Sequence, residues 1–445
     1  MSVSPVQLPV RVTLAKQGEG KRELTPIATA ILILVAVIAA FAWQKLPASV
    51  VAMAGAMAMM FAGILQPGEV FSGLGGETVL IVLFMMILGE VIFRTGLASV
   101  IGKALSKSGQ ASETALLIIL IIITALLSAF LSNTATVAML MALVGSMSSS
   151  GMLRIRKKSA FMAIGISATV GGLGTLVGSV VQVPVNNYLR EQTGQSLGFF
   201  SLIPIWAVLV LVMVGYYWLW GSKAQNRRFA ESNDLDGQYD FEKPVNPTFD
   251  RRKMVIALVS LVLCVVSFAT DIVPLYIAAA LASCICIVFG CISEKDAFKS
   301  VNLNVLIILA CLVALANGMN NSGAGEYIAN ALLGVVGTES PLLVFAVIVG
   351  ICTLLTNMMS NPVVAMLIIP IALNMAETVG INPTTMAVGV IVGSTLAFAS
   401  PIGSPPVTMT MVAGYNFNDY VKLGGPLCLL SYIATVIFVP LIYGL

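Results

Sequence analysis

The sequence predicts an all-α polytopic membrane protein built as two inverted repeats, each of five transmembrane crossings plus a re-entrant hairpin, with broken helices at the midplane. Three observations lead there. Of the 445 residues, 58% are hydrophobic and only 10% charged, where a soluble domain carries about 25% charged residues. The apolar residues gather into runs long enough to span a bilayer, which takes about 17–25 residues of helix. Two polar clusters of nearly the same letters interrupt those runs: Ser132-Asn133-Thr134-Ala135-Thr136 and Ser360-Asn361-Pro362-Val363-Val364, their serines 228 positions apart. Hydrocarbon penalises unpaired polar groups and frayed backbone, so such clusters are tolerated only where a helix breaks beside a cavity.

Residues 1–24 are polar, of mixed charge, and lack an apolar core or cleavage-site pattern, which reads as a flexible N-terminal arm. The first repeat covers 25–220. Apolar spans fall at about 25–44, 47–65 and 78–93, the last carrying Glu90 and Arg94 as an i,i+4 ion pair at its end. Lys103 and Lys107 among apolar residues suit an interfacial amphipathic helix. Residues 112–149 are one apolar stretch with the first cluster in its middle. Each arm is short for a crossing, and basic residues flank both ends: Lys103 and Lys107 before, Arg154, Arg156, Lys157 and Lys158 after. The positive-inside rule puts both ends in the cytoplasm, so the stretch reads as a hairpin. The span at 159–189 is interrupted by Gly171-Gly172-Leu173-Gly174-Thr175-Leu176-Val177-Gly178-Ser179, a glycine density that argues for a broken helix at mid-depth. A span at 200–220 closes the repeat. Residues 221–252, rich in both signs of charge, read as a cytoplasmic linker loop.

The second repeat, 253–445, follows the same order. Spans fall at about 253–270, 273–292 and 303–320, and Ser322 to Leu332 matches the amphipathic helix. A hairpin covers about 340–377 around Ser360. A broken span at about 383–413 carries Ser400-Pro401-Ile402-Gly403-Ser404, and a final span covers 420–443. Five crossings is an odd number, so the second repeat must be inverted relative to the first, and the chain crosses ten times. In this topology every Lys and Arg between spans except Arg190 lies on the cytoplasmic side. The arm, with Arg11, Lys16, Lys21 and Arg22, lies outside, against the rule.

Inverted repeats with broken helices place a transport site near the midplane. A break frees N–H groups at the start of the next helix, and these, with the helix dipole, attract anions. Carbonyls freed at helix C-terminal ends can hold Na⁺. The substrate-binding candidates are therefore Ser132, Asn133, Thr134, Ser179, Ser360, Asn361 and Ser404; the Na⁺ candidates are Ser132, Asn133, Gly174, Asn361 and Ser400. Such residues can also merely pack helices, but four clusters recurring in register favour a site. No Lys or Arg lies in these loops, so an anion there would be held by dipoles, neutral donors and co-bound cations. The sequence has no histidine, and its seven cysteines show no CxxC spacing. That leaves no His relay, triad or thiolate metal site, and an enzyme is not expected.

At these residues the chain resembles the divalent anion/sodium symporter (DASS, INDY-like) family of the ion transporter superfamily. Ser132 to Thr136, Ser360-Asn361, Gly171 to Gly178, Ser400 to Pro406, and Tyr415 to Tyr420 followed by Gly424-Gly425-Pro426 carry the likeness. The resemblance implies that the paired motifs sit at hairpin tips, bind substrate carboxylate and frame two Na⁺ sites with the broken-helix loops. It also implies homodimers and an elevator-like motion. The sequence departs from the family pattern at Pro362, which replaces the second motif's Thr. Val180-Val181-Gln182 follows Ser179 where Pro-Pro-Asn is usual, and Pro405-Pro406-Val407 follows Ser404.

The expectation is a multi-pass protein of the inner (plasma) membrane. It would be a secondary active transporter of small anions, foremost di- or tricarboxylates, working by Na⁺ symport or anion exchange with elevator-type alternating access. The alternatives are a permease for sulfate or a metalloid oxyanion and a Na⁺/H⁺ antiporter, the last disfavoured because the site loops hold no Asp, Glu or His. Expected partners are a small anionic substrate, the lipid bilayer and a second copy in a homodimer; no nucleic acid is expected.

Overall fold

The computed structural model describes residues 25–109, 111–229, 250–270 and 273–445. The expected N-terminal arm and residues 230–249 of the expected linker lie outside them. The first half runs α1 (Pro26–Trp43), α2 (Ala48–Phe61), α3 (Glu77–Ile92), α4 (Ala98–Lys107), α5 (Glu113–Ser128), α6 (Asn133–Ser149), α7 (Lys157–Gly171), α8 (Gln182–Thr193) and α9 (Ile203–Tyr216). The second half runs α10 (Arg251–Ala269), α11 (Leu275–Val288), α12 (Leu303–Ser322), α13 (Ala324–Val336), α14 (Pro341–Thr356), α15 (Asn361–Val379), α16 (Pro383–Gly393) and α17 (Phe417–Tyr443). Short helices, among them Pro67–Val70, Ser222–Arg228, Glu294–Lys299 and Pro405–Met409, lie between these. No strand forms among the described residues.

Local chemistry sets these boundaries. The side chains of Ser112, Asp250, Asn302, Ser340 and Asn382 accept N–H bonds from the first turns of α5, α10, α12, α14 and α16. Prolines start α1, α14, α15 and α16, where the missing N–H has no acceptor anyway. After α3 the chain winds through Phe93–Leu97 and turns at Gly96, whose φ of 104° is open to glycine. It then enters α4, which buries Ile101 and Leu105 and exposes Lys103, Ser106 and Lys107.

Six helical segments among the described residues are long and apolar enough to cross a bilayer, starting at Pro26, Glu77, Ile203, Leu303, Asn361 and Phe417. A seventh would be α13 with α14, bent by 117°. The expectation of ten crossings counted apolar runs. Several of those runs form shorter apolar helices: α2, α11 and α16.

The first hairpin is explicit in its ends. Arg154 N–H donates to Gly109 O (3.3 Å), and Arg156 N–H donates to Glu113 Oε1 (3.3 Å). The chain therefore leaves α6 where it entered α5. Both arms pack on α7, and in the second half α14 and α15 pack on α16. α2 packs on α12 while α3 packs on α11. Each pairing is the counterpart of the other when α1–α9 is laid on α10–α17, and α5 and α14 begin 228 positions apart, as do α6 and α15.

Candidate functional site: a cavity between two hairpin tips

Both tips are built from the same parts. α5 ends at Ser128 and α6 begins at Asn133 behind its N-cap Ser132. α14 ends at Thr356 and α15 begins at Asn361 behind Ser360. The hydroxyl closing each first arm meets the amide opening the second. Ser128 Oγ lies 2.7 Å from Asn133 Oδ1 and 2.8 Å from Ala168 O on α7, and its one proton serves one of them. Thr356 Oγ1 donates to Ser394 O at 2.5 Å. The Asn361 amide faces only lone pairs on one side, so its Nδ2 belongs there. Its two N–H groups then face three acceptors, Gly403 O (2.9 Å), Thr356 Oγ1 (2.8 Å) and Ser394 O (3.2 Å). Its Oδ1 is left as the acceptor.

The tips differ in their hydroxyls, with Pro362 and Val364 at the counterparts of Thr134 and Thr136. Ser132 Oγ pairs with Thr134 Oγ1 at 2.9 Å. Pro362 stands at the counterpart of Thr134, and the buried Ser360 Oγ has no partner among the described residues. Pro362 suits the first turn of α15, so the substitution costs no helix bond but frees a hydroxyl.

The broken-helix loops bring backbone oxygens to the tips. A Cβ on Gly178 would lie 2.5 Å from Gly172 O, 2.8 Å from Ala129 O and 3.0 Å from Ser128 O, so only glycine lets these three carbonyls converge. In the second half a Cβ on Gly403 would run into Thr356 O. Thr175 Oγ1 donates to Ala129 O, and Gln182 Nε2 donates to Gly172 O at 2.7 Å. The donors at both tips are carbonyl, hydroxyl and amide groups. Among the described residues no three of His, Cys, Asp and Glu cluster as a metal site. Such an oxygen set, without thiolate, imidazole or carboxylate, fits Na⁺ and not a transition metal.

A cavity of about 790 Å³ joins the two tips. Ser132, Asn133, Thr134 and Ser179 line it from the first half, and Ser360, Asn361 and Ser404 from the second. Ser404 Oγ also sits 3.0 Å from Thr169 Oγ1 of α7, tying the halves together. The structure thus brings all seven substrate candidates onto one cavity. Of the Na⁺ candidates, Gly174 and Ser400 do not line it. Gly174 packs against Ala129 and Trp206, and Ser400, 2% exposed, accepts the Ile402 N–H at 3.1 Å.

The remaining wall comes from α3, through Ile81, Val82, Met85, Met86 and Glu90, and from residues 299–305 leading into α12. Arg94 Nε donates to Glu90 Oε1 at 2.7 Å, and its Nη1 lies 3.0 Å from Asp296 Oδ2. The Ser293 hydroxyl, then Arg94, hold the Asp296 carboxyl below the usual carboxylate range. At the opposite end of α3, Arg190 Nη2 lies 2.5 Å from Glu77 Oε2, and Asn187 Nδ2 donates to Thr78 Oγ1 at 2.7 Å. Glu90 follows Glu77 by thirteen helical steps, or about 20 Å along the axis.

Sequence reasoning missed Ser128 and Thr356 as tip residues. The signal was available, since they too lie 228 apart, five residues before each Asn. It also missed Lys299, which comes to the cavity only through the fold.

The family described as citrate transporter (CitMHS) matches residues 38–393. SdcS of Staphylococcus aureus, a sodium-dependent dicarboxylate transporter, is 24% identical over 424 residues, covering 86% of this chain and 80% of SdcS. An uncharacterized transporter of Synechocystis is 31% identical over 205 residues, 46% of this chain and 33% of that protein, so the chain spans about a third of that relative's length. Among solved structures, the YdaH transporter of Alcanivorax borkumensis superposes with a TM-score of 0.58 at 13% identity, covering 94% of this chain and 98% of YdaH, which shows a shared fold. The family model covers most of this helical chain, with its six to seven candidate spans among the described residues, and the chain belongs to the citrate transporter (CitMHS) family.

Proposed function

We propose that the protein carries di- or tricarboxylates across the inner (plasma) membrane in symport with Na⁺. The observation that carries this reading is the meeting of both Ser-Asn tips on one cavity, with neutral donors on the tips and no basic side chain among them. A buried dianion left uncompensated would cost several kcal/mol. Helix N-termini contribute about half a charge each, so α6 and α15 together offer about one unit. Bound Na⁺ would supply the remainder beside the anion. Ser132, Asn133 and the carbonyls of Ser128, Ala129 and Gly172 around Gly178 would hold it at the first tip. Asn361 Oδ1 and the Thr356 carbonyl would hold it at the second. Ser132, Thr134, Ser179, Ser360 and Ser404 would then orient the carboxylate by their hydroxyls, Ser360 with a proton that no group among the described residues claims. Gly174 and Ser400 would act from behind the tips. The dicarboxylate named for SdcS agrees with this substrate class.

The exchange of helix partners between the halves supports reading them as inverted repeats over 25–220 and 253–445. Ala48, Glu90 and Lys299 line the cavity, and Lys45, Arg94 and Lys295 stand within a few residues of them. The positive-inside rule therefore makes this mouth cytoplasmic. The Arg190–Glu77 and Asn187–Thr78 contacts would close the outer side in this inward-open state. Transport would proceed as the two hairpins with α7, α8 and α16 shift against α1–α3 and α10–α12, with a homodimer steadying the latter. Uptake into proteoliposomes of labelled succinate, citrate and sulfate, with and without an inward Na⁺ gradient, tests the reading. Carboxylate uptake that needs Na⁺ is expected. Uptake of sulfate alone, or of no carboxylate, would overturn it.

A further inference from the structure

We propose that Lys299 is a substrate-specificity residue. Its ammonium pairs with the far carboxylate of an extended dicarboxylate whose near carboxylate sits at the hairpin tips. The inference rests on the transport reading above and assigns a cationic contact at the cavity mouth, away from the tips.

The lining of the cavity carries the argument. Among the described residues Lys299 is the only Lys or Arg that lines it, and Glu90 the only acid. Glu90 is already neutralised by Arg94, and Arg94 spends its second face on Asp296. Lys299 makes no ion pair within 4.0 Å among the described residues. Its charge acts on Asp296 from a distance, but that carboxylate is already bonded by Arg94, so the Lys299 ammonium itself is available to a ligand. The backbone beneath it is fixed. Lys299 closes the short helix Glu294–Lys299, anchored by the fully buried Ala297 and by Ser300 Oγ donating to Ala297 O at 2.7 Å.

The shape of the cavity turns this charge into a choice between anions. At about 790 Å³ it is far larger than one small dianion, and the tips and Lys299 are contributed by different elements around it. A compact tetrahedral dianion such as sulfate concentrates its charge at one place and can engage the tips or the lysine. A carbon chain with a carboxylate at each end can engage both. Lys299 thus favours separated charges over compact ones. The competing reading is a lysine that only marks the cytoplasmic side by the positive-inside rule. Such a residue would leave affinity untouched.

Inside-out membrane vesicles expose the cytoplasmic mouth, and right-side-out vesicles the other face. Succinate transport is measured in both for the wild type, Lys299→Gln and Lys299→Arg, with sulfate as competitor and ionic strength varied. Lys299→Gln is expected to raise the succinate KM at the cytoplasmic face by about tenfold and to flatten its dependence on ionic strength, as loss of a steering charge does. KM from the other face and inhibition by sulfate stay within about twofold, and Lys299→Arg keeps the wild-type KM, because the arginine retains the charge. Wild-type KM and salt dependence in Lys299→Gln would overturn the inference alone. So would an equal loss in Lys299→Arg, which marks a packing role. A wild type that moves no dicarboxylate in either vesicle would overturn the proposed function and this inference with it.

Discussion

Asn133 and Asn361 each open the second arm of a hairpin and bond the hydroxyl that closes the first. Replacing either amide by a methyl leaves that hydroxyl with one partner and removes an acceptor from the cavity. The stability cost is about 1–3 kcal/mol for a polar group left unpaired, too little to unfold a protein of this size. Asn133→Ala and Asn361→Ala are each expected to abolish uptake while eluting at the wild-type volume in size-exclusion chromatography. Normal uptake by either would show that its tip only packs helices. These asparagines were legible in the sequence because a Ser-Asn pair inside an apolar run has no cheap alternative explanation. Ser128 and Thr356 were not. A hydroxyl in an apolar helix ordinarily bonds its own carbonyl four residues back, as Thr124 does to Leu120 O at 2.6 Å and Ser167 to Ala163 O at 2.6 Å. Only the tertiary bonds to Ala168 and Ser394 set those two apart.

At the scale of elements, residues 113–149 return to their starting point, with Gly109 and Arg154 hydrogen-bonded across the hairpin base. By the positive-inside rule the flanking basic residues are expected to hold that base in the cytoplasm. A single cysteine at Arg156→Cys, in a background with the seven native cysteines removed, should react with an impermeant maleimide from inside-out vesicles and not from intact cells. Labelling in intact cells would mean that α5 and α6 are two full crossings. The hairpin was readable because the charges at both ends agree. The helix lengths were not. The apolar run at 47–65 gives a helix only to Phe61, because the chain turns at Gly63 with φ of 73°. The run at 383–413 stops its first helix at Gly393, which packs against Val349 and Cys352 of α14. Hydropathy reports which residues avoid water. It does not separate lipid from protein neighbours, and it is silent on where a helix breaks.

Over the whole molecule, the offset of 228 in the sequence reappears as matched helices, matched tips and exchanged packing partners, and it brings two distant motifs onto one cavity. The meeting of both tips on one cavity was inferable from that repetition alone. The contribution of α3 and of residues 299–305 was not, because neither repeats the letters of the tips and Lys299 reads as an ordinary cytoplasmic charge. Pro362 separates the two halves functionally. It leaves Ser360 unpartnered and removes a hydroxyl, while the first tip keeps Thr134 and the carbonyls around Gly178. Cation binding at the first tip should therefore be the more robust of the two. The central claim is that an anion in this cavity is balanced by Na⁺ held at the tips. Titration of succinate into the purified protein at fixed ionic strength, in Na⁺, K⁺ and choline in turn, tests it most directly. Binding at least tenfold tighter in Na⁺, about 1.4 kcal/mol, is the predicted result. Equal affinity in all three cations would contradict it and leave a Na⁺-independent exchanger as the better account.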